Sequence, residues 1–324
     1  MRLRRRASSG GDQKRISFVT DVHGSERCFR KFLNTAKFYD AQYLILGGDI
    51  TGKTLVPIEK CPTGWRASFN DHDYRDMSDE EMRQVAQLIR DGGRYPIQGE
   101  RDELVELFSE ERRDQTFREA VVDGIRRWMD IADERLAGTD VQCYVTPGND
   151  DFWEIDEPLL QAERVQFVEG RRVRLDDHHE MITTGYSNIT PWHSPRELPE
   201  PELGERIQAM FAEVEDPASL IAVLHPPPYG TELDQAPLID GEFKVQTENA
   251  GIKFGPVGSI AVRDFILEAQ PKLTLHGHVH ESQGAQRLGR TLCINPGSEY
   301  TAGALSCALV TLTGDSVEFQ FTTG

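Results

Sequence analysis

The sequence lacks paired cysteines. Its five, Cys28, Cys61, Cys143, Cys293 and Cys307, are odd in number and scattered, with no CxxC among them. That argues against a disulfide framework and points to a reducing compartment, so a cytoplasmic location is expected. Long hydrophobic runs are missing too. Nothing approaches the roughly 20 apolar residues that span a bilayer, so no membrane partner is expected. Met1 to Arg6 is basic, but Ala7-Ser8-Ser9-Gly10-Gly11 follows where a secretory signal needs an apolar stretch. Residues 1–13 read as a flexible basic tail. Positive charge is scarce: 36 Lys and Arg stand against 54 Asp and Glu, a net charge of −18. A nucleic-acid surface needs neutralising cations, so that partner is disfavoured and solubility favoured. No internal repeat and no second core show in the pattern.

What is present suits a packed core: 38% of the 324 residues are hydrophobic and 28% charged. Arg15 to Thr20 reads as a short buried strand ending in Asp21-Val22-His23-Gly24. Ser25 is placed to cap a helix with the apolar stripe Phe29, Phe32, Leu33 and Ala36. Tyr43 to Leu46 reads as a second strand running into Gly47-Gly48-Asp49. This is a strand–helix–strand unit with ligand-type side chains at the strand ends, the edge where open α/β sheets collect ligands.

Residues 53 to about 140 interrupt the alternation and read as a mostly helical insertion. Gly64 to Phe69 suggests one strand of a small hairpin. Ser78 and Glu81 form a capping box, and Gly92-Gly93 ends that helix. A longer helix carries Phe117, Val121, Ile125, Trp128 and Ala132. Both ends of the insertion are tethered at the ligand-bearing edge, so it is expected over or beside that edge. An assembly surface for a homo-oligomer is the alternative role.

The sheet resumes at Val141 to Val145, ending in Pro147-Gly148-Asn149-Asp150-Asp151. Arg171 to Leu175 and Glu180 to Thr184 read as a hairpin, Tyr186 to Trp192 as a loop. Leu220 to Leu224 runs into His225-Pro226-Pro227-Pro228-Tyr229, and 231–258 reads as a long acidic loop. Ser259 caps a helix with Val262, Phe265, Ile266 and Ala269. Strands are expected near Thr291–Ile294, Ser306–Leu312 and Val317–Phe321.

After Leu273 to Leu275 comes His276-Gly277-His278-Val279-His280. In extended backbone, residues two apart point the same way, so His278 and His280 are able to aim at one point. Gly277 permits a turn and close approach. Asp21, His23, Asp49, Asn149, His225, His278 and His280 all follow strands. These seven groups exceed what one metal needs. A shared carboxylate lets two cations sit side by side and clamp a phosphoryl group. His276 reads as supporting, His178-His179 as a solvated turn, and Trp153 and Trp192 as core or loop anchors.

In order and spacing these residues resemble the calcineurin-like metallophosphoesterase superfamily, whose pattern is DxH, GD, GNH, an isolated His and GHxH. The matches are Asp21-Val22-His23, Gly48-Asp49, Gly148-Asn149, His225 and Gly277-His278-Val279-His280. The resemblance covers residues 14–324 apart from the insertion. It implies an α/β fold of four layers, α/β/β/α, with two mixed sheets flanked by helices. It implies one metal on Asp21, His23 and His280, another on Asn149, His225 and His278, and Asp49 bridging them. It further implies phosphoester hydrolysis by a metal-bound hydroxide, with two divalent transition-metal ions as cofactors. Manganese is favoured among these, with iron and zinc as alternatives.

Three departures stand out. Gly52 occupies the last position of the family's GDxxD. Asp150 replaces the His of GNH, a group that supports the leaving oxygen. The Asn295-Pro296-Gly297-Ser298 turn is shared by phosphodiesterases and by non-catalytic members. Asp49, Asn149 and Asp150 are the catalytic candidates; Lys53 and Tyr229 are candidates for substrate contact. A phosphodiester, nucleotide-like small molecule is the favoured substrate, since a diester carries less charge to be repelled. A metal-binding interaction module and a nuclease remain as alternatives.

Overall fold

Apolar side chains alternate along the central strands, and each face meets a different layer. The computed structural model describes residues 13–248 and 251–324. All of the expected basic tail but residue 13 lies outside the described residues. The helices are α1 (Glu26–Tyr39), α2 (Asp79–Asp91), α3 (Arg101–Leu107), α4 (Arg113–Leu136), α5 (Asp156–Gln161), α6 (Glu200–Phe211) and α7 (Ile260–Ala269). One six-stranded sheet runs Ser316–Thr323, Ser306–Thr313, Lys14–Val19, Tyr43–Gly47, Gln142–Thr146 and Val165–Phe167. The other runs Gly284–Leu288, Thr291–Asn295, Leu273–Leu275, Leu220–Leu224, Glu180–Thr184 and Arg171–Arg174. Both are mixed, with parallel pairs at the centre; antiparallel pairs lie at both edges of the second sheet and at one edge of the first, whose other edge strand, Val165–Phe167, is parallel.

Between the sheets lie Ile16, Phe18, Tyr43, Ile45, Ile221, Val223, Leu273 and Leu275. The period-two partners Val19, Leu44 and Leu46 face outward onto α1 and α4. Leu220, Ala222 and Leu224 face outward onto α6 and α7. The four-layer α/β/β/α sandwich is therefore present. Every parallel pair at its centre ends on the same edge.

Three sequence readings are corrected. The first concerns the bounds of the insertion. Helix α4 stacks Trp128 on Phe29 of α1, with ring centroids 4.4 Å apart and nearly coplanar at 9°. It is the crossover helix between parallel strands Tyr43–Gly47 and Gln142–Thr146, a connection parallel strands require. Only the stretch before it stands off the sandwich. Second, that stretch holds more than a hairpin. Leu55–Cys61, Gly64–Phe69, His72–Met77 and Tyr95–Glu100 form a four-stranded sheet backed by α2. Third, it has a core of its own in Val56, Ile58, Ala67, Met82, Val85, Ala86 and Ile89, against the expectation of none. The Ser78 capping box and the Gly92 stop are as expected.

Smaller differences follow the same logic of pairing. Ser187–Asn188, inside an expected loop, pairs with Glu197–Leu198 beyond it, and Gln235–Pro237 pairs with Phe254–Pro256 inside another expected loop. Trp153 and Trp192 are exposed rather than anchored in the core, Trp192 lying against Phe243 at 5.0 Å. His179 is buried against Asp176, so only His178 belongs to a solvated turn.

Candidate metal centre

Five loops leave the parallel strands and converge. Backbone N–H groups of Asp21, His23 and Gly24 donate to the carbonyls of Gly48, Asp49 and Ile50 at 2.9, 3.0 and 2.8 Å. This ladder continues the strand pairing past the sheet and holds Asp21 beside Asp49. Asp21, His23, Asp49 and His278 all sit in the left-handed region, at φ 53, 40, 48 and 67°. Each such non-glycine residue costs about 1–2 kcal/mol. Strain of this kind persists only where the surroundings over-determine it.

The surroundings do so. Gly277 needs no side chain because a Cβ there would come within 2.1 Å of Thr20 Oγ1 and 2.3 Å of Asp21 Oδ2. The His278 amide donates to Asp21 Oδ2 at 3.0 Å. Ser298 Oγ donates to the Asp21 carbonyl at 2.6 Å. Buried Asn295 donates to the Val279 carbonyl at 2.9 Å. The Asn-Pro-Gly-Ser turn thus holds both the Asp21 and the His278 loops in place. Gly52 is explained as well. A Cβ there would meet the Gly93 carbonyl oxygen at 2.1 Å, because the turn closing α2 fills the space.

The side chains form two groups. In one, Asp21 Oδ1 lies 3.3 Å from His280 Nε2 and 3.9 Å from His23 Nε2. In the other, His278 Nδ1 lies 2.9 Å from Asn149 Oδ1. Asp49 stands between them: Oδ2 is 3.9 Å from His23 Nε2, and Oδ1 is 3.4 Å from His225 Nε2. Asp21, Asp49, Asn149, His23 and His225 are all buried. The donor atoms of Asp21, His23 and His280 fall within 4.8 Å of one another, as do those of Asp49, His225 and His278.

These donors fit a divalent cation. His23 Nε2 faces His280 Nε2 at 3.0 Å, one nitrogen against another. Two imidazole nitrogens about 2.1 Å from one ion at a right angle stand about 3 Å apart. His23 Nδ1 and His225 Nε2 are buried without a hydrogen bond among the described residues. His225 Nδ1 faces the Gly47 carbonyl at 3.0 Å, which turns Nε2 inward as a ligating imidazole requires. Carboxylate, imidazole and amide together suit a divalent transition metal.

Protonation follows the same geometry. Burial would lower the His225 pKa, but the charge of Asp49 outweighs it and pushes the value up to about 10. Burial would raise the Asp21 pKa, but His280 and His225 bring it down to about 2. Burial and a weaker set of partners leave the His23 and His278 pKa values below the ordinary range. His276 is buried among the carbonyls of Leu224 and Pro226, and burial pulls its pKa down to about 4. It supports the strand end and faces away from the two groups.

Asp150 is held at both oxygens. Lys53 Nζ pairs with Oδ2, and Ser194 Oγ donates to Oδ1 at 2.6 Å. The Asp150 amide donates to Asp49 Oδ1 at 3.0 Å. Lys53 therefore stands at the edge, whereas Tyr229 does not join it. The Tyr229 ring lies under the Arg263 guanidinium at 5.8 Å, and its amide donates to Ser259.

Three contributors were missed from sequence. Asp151 accepts from Gly148 N at 2.7 Å, Ile50 N at 3.0 Å, Thr51 N at 2.9 Å and Thr51 Oγ1 at 2.6 Å. It ties the Asp49 loop to the Asn149 loop. Burial and then the charge of Asp49 raise its pKa to about 6. Fully buried Arg196 donates to the carbonyls of Asp151 and Phe152 at 2.9 and 3.0 Å, so it fixes the same loop. Tyr300 lies 4.8 Å from the His23 ring and covers that group. Asp151 adjoins a recognised motif, a usable signal. Arg196 and Tyr300 carry none.

No family model matches the chain. An uncharacterised protein of Methanocaldococcus jannaschii, MJ1162, is 26% identical over 158 residues, which is 48% of this chain. The chain spans 64% of that relative's length. Among solved structures, one crystal structure is similar at a TM-score of 0.56 with 13% identity, covering 96% of this chain and 99% of that one. TT1561 of Thermus thermophilus is similar at 0.51 with 14% identity, covering 95% and 99%. At these identities the likeness is one of fold. The order of the site motifs resembles that of the calcineurin-like metallophosphoesterases, and the fold is similar to that of these two solved structures.

Proposed function

We propose that this protein is a dinuclear metal-dependent phosphoesterase with a preference for phosphodiesters. One observation carries the reading: Asp49 presents one oxygen to His23 and the other to His225, between two groups of donors. Asp21, His23 and His280 would hold one cation, Asn149, His225 and His278 the second, and Asp49 both. Two such ions supply Lewis acidity toward phosphoryl oxygens and lower the pKa of bound water. Manganese suits the carboxylate and amide oxygens, and iron or zinc the imidazoles.

The chain's own groups orient the ester. Asn149 brings a neutral oxygen, so positive charge at the site is kept for the substrate. Asp150 takes the place of a histidine and is paired with Lys53. Lys53 is thereby positioned to place an ammonium near a leaving oxygen, with Asp150 as its anchor. That pairing also weakens one argument for diesters, since the Asp150 charge is met. The preference then rests on the net charge of −18, which repels a dianionic monoester more than a monoanionic diester. Five unpaired cysteines support a cytoplasmic setting. No helix among the described residues is long and apolar enough to cross a membrane.

The test is a hydrolysis panel with manganese-loaded protein on aryl and alkyl diesters, cyclic nucleotides, nucleotide diesters, monoesters and nucleic acid. Turnover of diesters above monoesters is expected. No turnover of any ester by protein that retains its metal leaves the interaction-module reading in its place.

A further inference from the structure

A cleft of about 400 Å³ opens between the start of strand Leu55–Cys61 and the start of α4. Leu55, Phe108 and Phe117 give it apolar walls. Lys53 belongs both to this cleft and to the metal edge, because its ammonium pairs with Asp150. Donor atoms of Asp150, His23 and Asp49 lie within 4.8 Å of one another. A second contact joins the same two regions. Phe117 meets Phe152, the residue after Asp151, edge to face at 5.9 Å and 82°. The cleft therefore adjoins the metal edge on its Lys53 and Asp150 side.

Its walls are fixed. Phe117 also meets Tyr95 edge-on at 6.0 Å. Thr116 Oγ1 donates to the Leu107 carbonyl at 3.0 Å, and the Arg113 amide to the Ser109 carbonyl at 2.9 Å, which holds the turn that carries Phe108. Leu55, Phe108 and Phe117 are each half-buried, so part of their surface is left for a ligand. Exposed Arg113 and Glu110 bring hydrogen-bond donors and acceptors to the cleft, while its other carboxylate, Asp114, is paired with Arg118 at 2.9 Å. The volume falls within the roughly 300–1,000 Å³ of small-molecule sites. Apolar walls with polar groups of both signs suit an uncharged aromatic ring with hydrogen-bonding edges. The net charge of −18 does not repel such a group.

We infer that this cleft binds the alcohol half of a phosphodiester, a nucleoside whose base lies against Phe108 and Phe117. The inference rests on the phosphoesterase reading of the metal edge. Lys53 decides which half of the diester leaves. Its ammonium favours negative charge on the ester oxygen nearest to it, and that oxygen carries the group held in the cleft. In hydrolysis the oxygen of water bonds to phosphorus and the P–O bond to the nucleoside breaks. The nucleoside oxygen keeps the electron pair and takes a proton from that water.

The methyl diester of adenosine 5′-phosphate tests this, because both of its ester oxygens are alkoxy groups and differ little as leaving groups. Manganese-loaded protein should release adenosine and methyl phosphate; the opposite orientation gives adenosine 5′-phosphate and methanol. Phe108→Ala should lower kcat/KM about tenfold, the scale of a lost base-stacking contact. Thr54→Trp fills the cleft from an exposed position, removes no apolar wall, and should do the same should Phe108→Ala fail to fold. Adenosine has no ester to cleave, so its calorimetric titration into manganese-loaded protein reads binding apart from turnover, and both substitutions should weaken it about tenfold. Release of adenosine 5′-phosphate in place of adenosine overturns the assignment of the leaving half. No adenosine binding, or binding that neither substitution alters, overturns the cleft. Adenosine bound in the cleft by protein that cleaves no ester overturns the phosphoesterase reading instead, and leaves a nucleoside site in its place.

Discussion

Positive φ at non-glycine residues has different causes in two regions of the molecule. In the outlying sheet it falls at Asp76, φ 51°, where the register shifts between Trp65 and Ala67, and at Asn70 and Asp71, φ 50 and 59°, between strands Gly64–Phe69 and His72–Met77. Asn70 and Asp71 are the residues a two-residue hairpin favours, and the turn itself explains them. At the metal edge it falls at Asp21, His23, Asp49 and His278, where no hairpin is made. There the backbone is held by buried Gly277, Asn295 and Asp151 and by half-buried Ser298. The outlying sheet instead ties its charges together at the surface, as in Arg66 with Glu59 and Arg83 with Glu80. Strain with a local turn to account for it is geometry. Strain held in place by distant residues points to a site.

The first way to break this comparison is at Asp49. Asp49→Asn removes a charge that two donor groups share. Hydrolysis should fall by about a thousandfold or more, since metal-based charge stabilisation is worth several kcal/mol. Kinetics on an aryl diester at saturating manganese would show it. A rate within a few-fold of the parent would remove Asp49 from the centre.

The next expected effect is on stability. Trp128→Ala should cost about 3–5 kcal/mol in urea unfolding, because α4 belongs to the sandwich. A loss below about 1 kcal/mol would return α4 to the insertion.

Third comes the support of the edge. Ser298→Ala frees the Asp21 carbonyl and should weaken metal binding by about 10- to 100-fold, the usual effect of removing a group that orients a ligand. Metal-buffered activity measures it, and an unchanged midpoint would show that the turn does not hold Asp21. The smallest effect is expected in the outlying sheet. Ser78→Ala removes a capping box and should cost about 1 kcal/mol, seen as faster amide exchange in α2 with metal content unchanged.

Much of the candidate site was legible because its donor side chains come in short local motifs. Asp21-Val22-His23 and Gly277-His278-Val279-His280 each place two donors within three residues, and alternation shows that they follow strands. Arg196 was not legible. Its value lies in reaching the carbonyls of Asp151 and Phe152, a contact 45 residues away in sequence that no local pattern announces. Gly52 read as a departure from GDxxD at a supporting position, and only the approach of Gly93 shows why no side chain fits there. The fold was legible where one face of a strand or helix is apolar. α4 was misassigned because its stripe says that it packs on something, and the stripe is silent on what. The rule that parallel strands need a crossover would have assigned it once Tyr43–Gly47 and Gln142–Thr146 were paired. The outlying sheet was hidden for the opposite reason. His72–Met77 is mostly exposed and charged, so its pairing leaves no alternation to read.

The account turns on whether two cations share Asp49. Calorimetric titration of the metal-free protein with Mn²⁺, in two buffers of different ionisation enthalpy, measures both the count and the protons displaced. In the metal-free protein His225 has a pKa of about 10, above its ordinary value, so at pH 7 it carries a proton that a metal must remove. Two ions per chain and at least one released proton are predicted, with affinity rising as pH rises toward 10. One ion per chain, or two ions bound with no proton released and no dependence on pH, would contradict a centre bridged by Asp49 and closed by His225.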